Sequence, residues 1–189
     1  MGRGVCNMII GIDPGMSGAI AVRSQGWIWI YDIPTVKTSK ATANNKKEQN
    51  DYNFHALHEI ICSIANHLKD GEQVTVVCEF SVGMAFKGTK LRGEHFDDSK
   101  TAWKKGYGFG VLRTLFALYG LDFTYTPQPK DWKRKLKLTD SSLTYTQKKE
   151  KARLEAIRIF PELEKYLKRK KDSDRAEALL LTVWAEMKR

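Results

Sequence analysis

The chain opens on a short apolar run, Val5 to Ile12, that stops at Asp13-Pro14-Gly15. A run of that length closed by a turn sequence predicts a buried strand. Two more strand-like runs follow, Gly18 to Arg23 and Gly26 to Ile33, separated by Ser24-Gln25. In the second, Trp27, Trp29 and Tyr31 alternate with Ile28 and Ile30, the period of two expected of a strand. The three together predict an antiparallel meander. Thr35 to Asp51 is polar and has no period, which predicts a loop. From Tyr52 to Leu68 the apolar positions Phe54, Leu57, Ile60, Ile61, Ile64 and Leu68 recur at helical spacing, closed by Asp70-Gly71. Val74 to Cys78 then reads as a buried strand that delivers Glu79 at its C-terminal end.

Ser81 to Lys100 is rich in glycine and charge and reads as a loop. Ala102 to Tyr119 predicts a helix closed by Gly120. Its Gly106, Gly108 and Gly110 each weaken a helix by about 1 kcal/mol, so close approach of another backbone, of protein or DNA, is expected there. Leu121 to Thr126 predicts a further strand, and Asp131 to Leu136 a short helix. Thr146 to Phe160 predicts a helix that starts at a Thr cap and is stopped by Pro161. Lys171 to Met187 is the last helix. No repeat, low-complexity tract or linker divides residues 1–189, so one domain is expected. Three strands, a helix, a strand, a helix, a strand and then helices make an α/β layer plan with a mixed central sheet of five strands.

With 189 residues and 42% apolar positions, the chain is long enough to bury a substantial core. No apolar run approaches the roughly 20 residues of a membrane span. Met1 to Asn7 has no apolar segment typical of a signal peptide, and no transit peptide is seen. The expected location is therefore cytoplasmic, in a bacterium or a phage-infected host, or organellar if a transit peptide is missing from the chain. Three widely spaced cysteines, Cys6, Cys62 and Cys78, indicate neither a disulfide framework nor a zinc site, and Cys62 and Cys78 read as core residues. The net charge of +10 is unevenly placed: residues 128–171 hold 15 Lys and Arg against 6 Asp and Glu. A basic block of that size points to a polyanion, with nucleic acid as the default partner. The alternative is a solvated helical surface.

Four acids stand at the ends of predicted elements. Asp13 follows the first strand, Glu79 ends the fourth, and Asp174 and Glu177 lie near the start of the last helix. Asp174 and Glu177 are three residues apart and share one helix face. Neighbouring strands of one sheet can bring Asp13 and Glu79 side by side, and if the start of the last helix abuts the first strand all four acids converge. Four carboxylates in one cleft repel one another and cannot all stay ionised without compensation. Hard divalent cations supply it: Mg²⁺ prefers oxygen ligands and keeps waters for chemistry. Two such ions about 4 Å apart activate a water and stabilise the leaving oxygen of a phosphodiester. Taken singly, each acid also fits a solvated or helix-capping role.

Ile10-Gly11-Ile12-Asp13-Pro14-Gly15-Met16-Ser17-Gly18 resembles the opening motif of RuvC-type Holliday junction resolvases. Arg175-Ala176-Glu177-Ala178-Leu179-Leu180 resembles their closing acidic helix, and Cys78-Glu79 their strand-end glutamate. The likeness is closer to the plant chloroplast resolvases of that superfamily. It extends to Tyr31-Asp32-Ile33-Pro34-Thr35-Val36, Gly106-Tyr107-Gly108-Phe109-Gly110, Trp132-Lys133-Arg134 and Lys170-Lys171-Asp172, and so covers roughly residues 8–184. The resemblance implies an RNase H-like α/β fold, a mixed five-stranded central sheet with flanking helices. It also implies a homodimer that uses two Mg²⁺ ions per active site, with Mn²⁺ as a substitute, and makes paired nicks in four-way junction DNA. Asp13, Glu79 and Glu177 carry over as metal ligands, and Asp174 carries over onto the bacterial pattern. Two departures stand out. Glu177 replaces the usual Asp, and Ser173 stands where the chloroplast enzymes place a His. The fourth ligand is thus open among Asp174, Asp172 and a water held by Ser173, with Asp174 favoured for its place one turn from Glu177.

Lys133, beside Trp132, is a candidate to stabilise charge developing on the scissile phosphate, or else a routine backbone contact. Lys148, Lys149 and Lys151 are expected to track phosphates, with Lys104, Lys105, Arg134, Lys170 and Lys171 in the same set of DNA contacts. Among Phe80, Phe86 and Trp103, Phe86 is the preferred wedge between bases, and Trp103 fits helix core at least as well. The four histidines form no convincing ligand pair. Three rival readings stay open: another RNase H-like nuclease acting on hybrids, flaps or integration ends, an actin-like ATPase or kinase fragment, and a non-catalytic junction-binding module. An ATPase of that type needs a second domain and phosphate loop, for which 189 residues leave little space. No membrane and no nucleotide cofactor is expected.

Overall fold

Alternation along the first strand sets the layering. β1 (Asn7–Asp13) sends Met8, Ile10 and Ile12 into one apolar core and Ile9 into the other, on the opposite face of the sheet. The computed structural model describes residues 7–39, 49–69, 71–81 and 99–188. In chain order, β1 is followed by β2 (Ala19–Ser24), β3 (Trp27–Asp32), β4 (Thr35–Ser39), β5 (Gln49–Tyr52) and α1 (Phe54–Asn66). Then come β6 (Gln73–Cys78), α2 (Ser99–Ala117), β7 (Phe123–Tyr125), α3 (Pro129–Lys135) and α4 (Tyr145–Ile159). Two 3-10 turns, Pro161–Tyr166 and Lys170–Asp172, lead into α5 (Ser173–Glu186).

β1, β2, β3, β6 and β7 form a mixed five-stranded sheet in the order β3-β2-β1-β6-β7. The meander β1-β2-β3 is antiparallel, whereas β1-β6 and β6-β7 are parallel. Helices flank both faces. α1 and α2 cover Met8, Ile10, Ile12, Ile20 and Val22 with Leu57, Ile61, Ile64, Leu112 and Phe116. α5, backed by α4, covers Ile9, Ala19, Ala21 and Val77. Among the described residues, no helix is long and apolar enough to cross a membrane.

The helix starts follow local chemistry. Asn53 caps α1, its side chain accepting from the Ala56 N–H at 3.1 Å. α4 begins at Tyr145, capped by Thr144, rather than at the expected Thr146. There the Gln147 side chain accepts from the Thr144 N–H at 2.8 Å while the Gln147 N–H reaches back to the Thr144 hydroxyl, a reciprocal box that Thr146 cannot form. The predicted loop 35–51 also needs correction. Its two ends pair as the antiparallel strands β4 and β5, and Tyr52 belongs to β5 rather than to the following helix. Their polar, non-alternating residues carry no period because the pair stands outside the main sheet. Lys171 likewise lies in a 3-10 turn, and the last helix begins at Ser173. Cys78 is buried as expected, but Cys62 is only partly covered. Of the three α2 glycines, Gly108 meets a close neighbour, the hydroxyl of Tyr52, which donates to the Pro14 carbonyl at 3.0 Å; among the described residues nothing approaches Gly106 or Gly110.

α5 is covered almost all round, with Ala176, Ala178 to Leu181 and Ala185 fully buried. It approaches the sheet closely because the strand residues beneath it are small: Gly11, Ala19 and Ala21. Arg175 grips both Asp32 carboxylate oxygens at 2.6 Å near its start, and Arg23 reaches Thr182 and Glu186 near its end. A Cβ at Gly11 would overlap the Ala178 carbonyl and crowd the Thr182 side chain. No rotamer change relieves a clash with backbone, so Gly11→Ala is expected to lose about 3 kcal/mol of stability, read from the denaturant midpoint. An unchanged midpoint would mean that α5 does not lie this close to β1.

Candidate active site

The parallel register sets Ile12 opposite Cys78, and the ladder continues one step further, the Glu79 N–H donating to the Ile12 carbonyl at 3.0 Å. Asp13 and Glu79 therefore leave adjacent strand ends together. The close seating of α5 on Gly11 lowers its first turn onto the same spot, where Asp174 and Glu177 are 8% and 5% exposed. Asp13, Glu79 and Glu177 line one pocket of about 550 Å³ with Lys133, Lys148 and Lys149.

Each acid has an identifiable partner or an identifiable penalty. The Trp132 indole N–H donates to Glu79 Oε2 at 2.7 Å. Lys133 Nζ donates to Glu177 Oε2 at 2.9 Å, and Lys149 Nζ pairs with Asp174 Oδ1. Ser173 donates its hydroxyl to the same Asp174 oxygen at 3.2 Å. Burial raises the Asp13 carboxyl well above its ordinary range, and the charges of Glu177, Glu79 and Asp174 raise it further. Burial also raises Glu79, and the opposing pull of Lys133 and of the Trp132 hydrogen bond does not cancel it. Burial alone would lower the two lysines, but Glu177 and Glu79 hold Lys133 above its usual range, and Asp174 with Glu177 does the same for Lys149. Burial and mutual repulsion thus keep Asp13 and Glu79 displaced upward even with the Lys133 and Lys149 ammonium groups beside them.

Among the described residues, no group of three or more His, Cys, Asp or Glu side chains is arranged to hold a metal ion. The Lys133 and Lys149 ammonium groups sit on carboxylate oxygens that an ion would use. The donor set itself, four carboxylates without sulfur or imidazole, suits a hard cation such as Mg²⁺. Asp172, an alternative fourth ligand in the sequence, is turned elsewhere. Burial works against its charge, but Arg169 holds its carboxyl below the usual range through side-chain and backbone hydrogen bonds, with Arg175 3.8 Å away. Asp174 is the residue that shares the field of Asp13.

The remaining expected site residues fall in several places. Lys148 lines the pocket, Lys151 is further along α4, and Lys170 borders a smaller hollow with Tyr145 and Lys149. Lys171 is exposed in the last 3-10 turn, and Lys104 and Lys105 are exposed on α2, outside the pocket. Arg134 points to a different groove across α3. Phe86 lies outside the described residues. Trp103 is 64% exposed and stacks on Tyr107 at 5.0 Å, so it is surface rather than helix core. The sequence reading gave no site role to Trp132 and did not pair Lys149 with Asp174. Trp132 had a legible signal: a single large apolar side chain in Pro129-Lys130-Asp131-Trp132-Lys133-Arg134-Lys135 must anchor that helix.

The charge pattern has a consequence for stability. In metal-free protein, the folded state holds more protons on Asp13 and Glu79 than the unfolded chain does. Stability therefore falls as pH rises from about 4, where an unfolded carboxyl titrates, through the raised folded values. Asp13→Asn stays neutral and escapes the penalty. In a chelator, its unfolding temperature is expected to exceed that of the unaltered protein at pH 8 and to converge with it below pH 4. Equal unfolding temperatures across that range would contradict the burial and the crowding of charge at Asp13.

Neither a protein-family model nor a curated protein matches the chain, so its chemistry has to be read from these residues.

Proposed function

We propose that the protein is a metal-dependent nuclease with an RNase H-like core that resolves four-way DNA junctions. The observation that carries this reading is that Asp13 and Glu79, from two strand ends, and Glu177, from a helix start, line one pocket with three lysines, with Asp174 near enough for its charge to act on Asp13. The mixed sheet with an antiparallel meander followed by parallel strands agrees with it. So do the motifs that resemble RuvC-type resolvases, which supply the junction substrate, the homodimer and the paired nicks.

Asp13, Glu79, Asp174 and Glu177 would hold Mg²⁺, or Mn²⁺ in its place, in a two-ion site. Bound there, the metal supplies a nucleophilic water and Lewis-acid stabilisation of the leaving oxygen. Trp132 fixes Glu79 through its indole N–H, so that one carboxylate oxygen keeps its direction. Lys133 and Lys149 neutralise Glu177 and Asp174 in the resting site; released from them, they face phosphate oxygens instead. An ammonium group in a partly buried pocket stabilises negative charge far better than one in bulk water. Lys148, exposed at the rim, adds affinity for the DNA backbone that salt erodes.

The test is cleavage of a synthetic mobile four-way junction with and without Mg²⁺, with both nicks mapped, beside a flap and an RNA–DNA hybrid. Symmetric Mg²⁺-dependent nicks in the junction are expected, abolished by Asp13→Asn. Lys133→Met is expected to slow cleavage by about 10²–10³-fold, as for loss of a transition-state donor. Trp132→Phe is expected to cost about 10–100-fold, as for loss of a group that orients a ligand. Equal cutting of all three substrates would favour a less selective nuclease of the same core, and cutting that survives Asp13→Asn would overturn the site.

A further inference from the structure

α3 separates two grooves. On one side Lys133 and Trp132 face the carboxylates. On the other, a groove of about 700 Å³ lies between the end of β7, α3 and the last turn of α5. Tyr125 and Trp184 line it, packed edge to face at 5.8 Å, with Trp184 buried and Tyr125 half-buried. Arg134, Lys135, Lys137 and Lys188 surround them and are all exposed. Among the described residues Asp131 is the one acid in the lining and sits 3.5 Å from Arg134, so the groove keeps an excess of positive charge. Lys188 Nζ stands 5.4 Å from the Trp184 ring.

Lys137 has a φ of 57°, the left-handed backbone that ends α3 just past Leu136. Glycine takes that conformation without penalty, whereas a lysine is strained there. What the lysine adds at this position is a charge at the groove. Cations around an aromatic floor suit a ligand that is both anionic and flat. A free phosphate would leave the rings unused, and four cations around one groove exceed what a single phosphate needs.

We infer that this groove binds single-stranded nucleic acid, with backbone phosphates against Arg134, Lys135, Lys137 and Lys188 and a base against Tyr125. The strand would continue along α3 from the carboxylate pocket; that placement rests on the nuclease reading, but binding in the groove does not.

The experiment is fluorescence anisotropy of a labelled oligothymidine of about 20 nucleotides with metal-free protein, titrated over a range of salt. Lys137→Gly alone is expected to remain folded with a higher unfolding temperature, since it relieves the strained backbone. Arg134→Gln, Lys137→Gly and Lys188→Gln together are expected to weaken binding at least tenfold at low salt. The slope of log affinity against log salt should fall by about 2, at roughly 0.7 per phosphate contact. Tyr125→Leu is expected to weaken binding severalfold with the slope unchanged. The same loss of three charges at exposed Lys69, Lys165 and Lys168 is expected to change affinity by less than about twofold. Equal loss in both triple variants would reduce the effect to diffuse charge and overturn the groove, as would an affinity untouched by the first triple variant. Junction cleavage with oligothymidine binding untouched would keep the nuclease and remove the groove; binding lost in the triple variant without any cleavage would do the reverse.

Discussion

The contact on which the site depends is backbone against backbone: the first turns of α5 resting on Gly11 of β1. A helix that starts with two acids reaches a strand-end aspartate only if its axis lies unusually close to the sheet. Gly11, Ala19 and Ala21 create that clearance, and the Ala178 carbonyl occupies the space a side chain at position 11 would need. The same seating buries the apolar residues of α5 on nearly every side, so the site's geometry and much of the core's packing come from one interface. Arginine contacts at either end, Arg175 to Asp32 and Arg23 to Glu186, are partly exposed and add orientation more than stability.

Bringing four acids together works against folding. Asp13 bears the largest share, because burial and three like charges act on it in the same direction. Two lysines from α3 and α4 and the Trp132 indole offset part of that cost without removing it, since Asp13 and Glu79 both remain displaced upward. Such a conflict between local electrostatics and stability is expected at functional sites, where a ligand resolves it. In the proposed nuclease a hard cation would supply that relief through the carboxylate oxygens, which in the resting site are held by Lys133, Lys149 and Trp132.

α3 is only seven residues long, yet it presents different chemistry to each side. Trp132 anchors it with no exposed surface and spends its only polar atom on Glu79. Lys133 turns toward the acids, while Arg134 and the residues that follow turn toward the second groove. Within the helix Trp132 is the one buried side chain, and Leu136 and Leu138 just past its end pack into the same core, so a few apolar anchors position both basic faces.

Much of the architecture was legible in the sequence because it rests on period. The β1-β2-β3 meander, the strand ending at Glu79 and the helices α1, α4 and α5 each carry an alternation, an apolar stripe or a stop signal of their own. Where a segment lacks such a signal, sequence pattern misleads: β4 and β5 are mostly polar and, among the described residues, pair with each other outside the main sheet, and Trp103 looks apolar on paper yet stands in solvent on α2. The sequence by itself determined that acids would stand at the ends of elements and that cations would cluster in residues 128–171. Only the tertiary structure decided which of them meet: Glu79 with Trp132, Glu177 with Lys133 and Asp174 with Lys149. Periodicity records which way a side chain faces within its own element, whereas a pairing across elements depends on how closely the backbones approach, and that distance is a property of the packed whole.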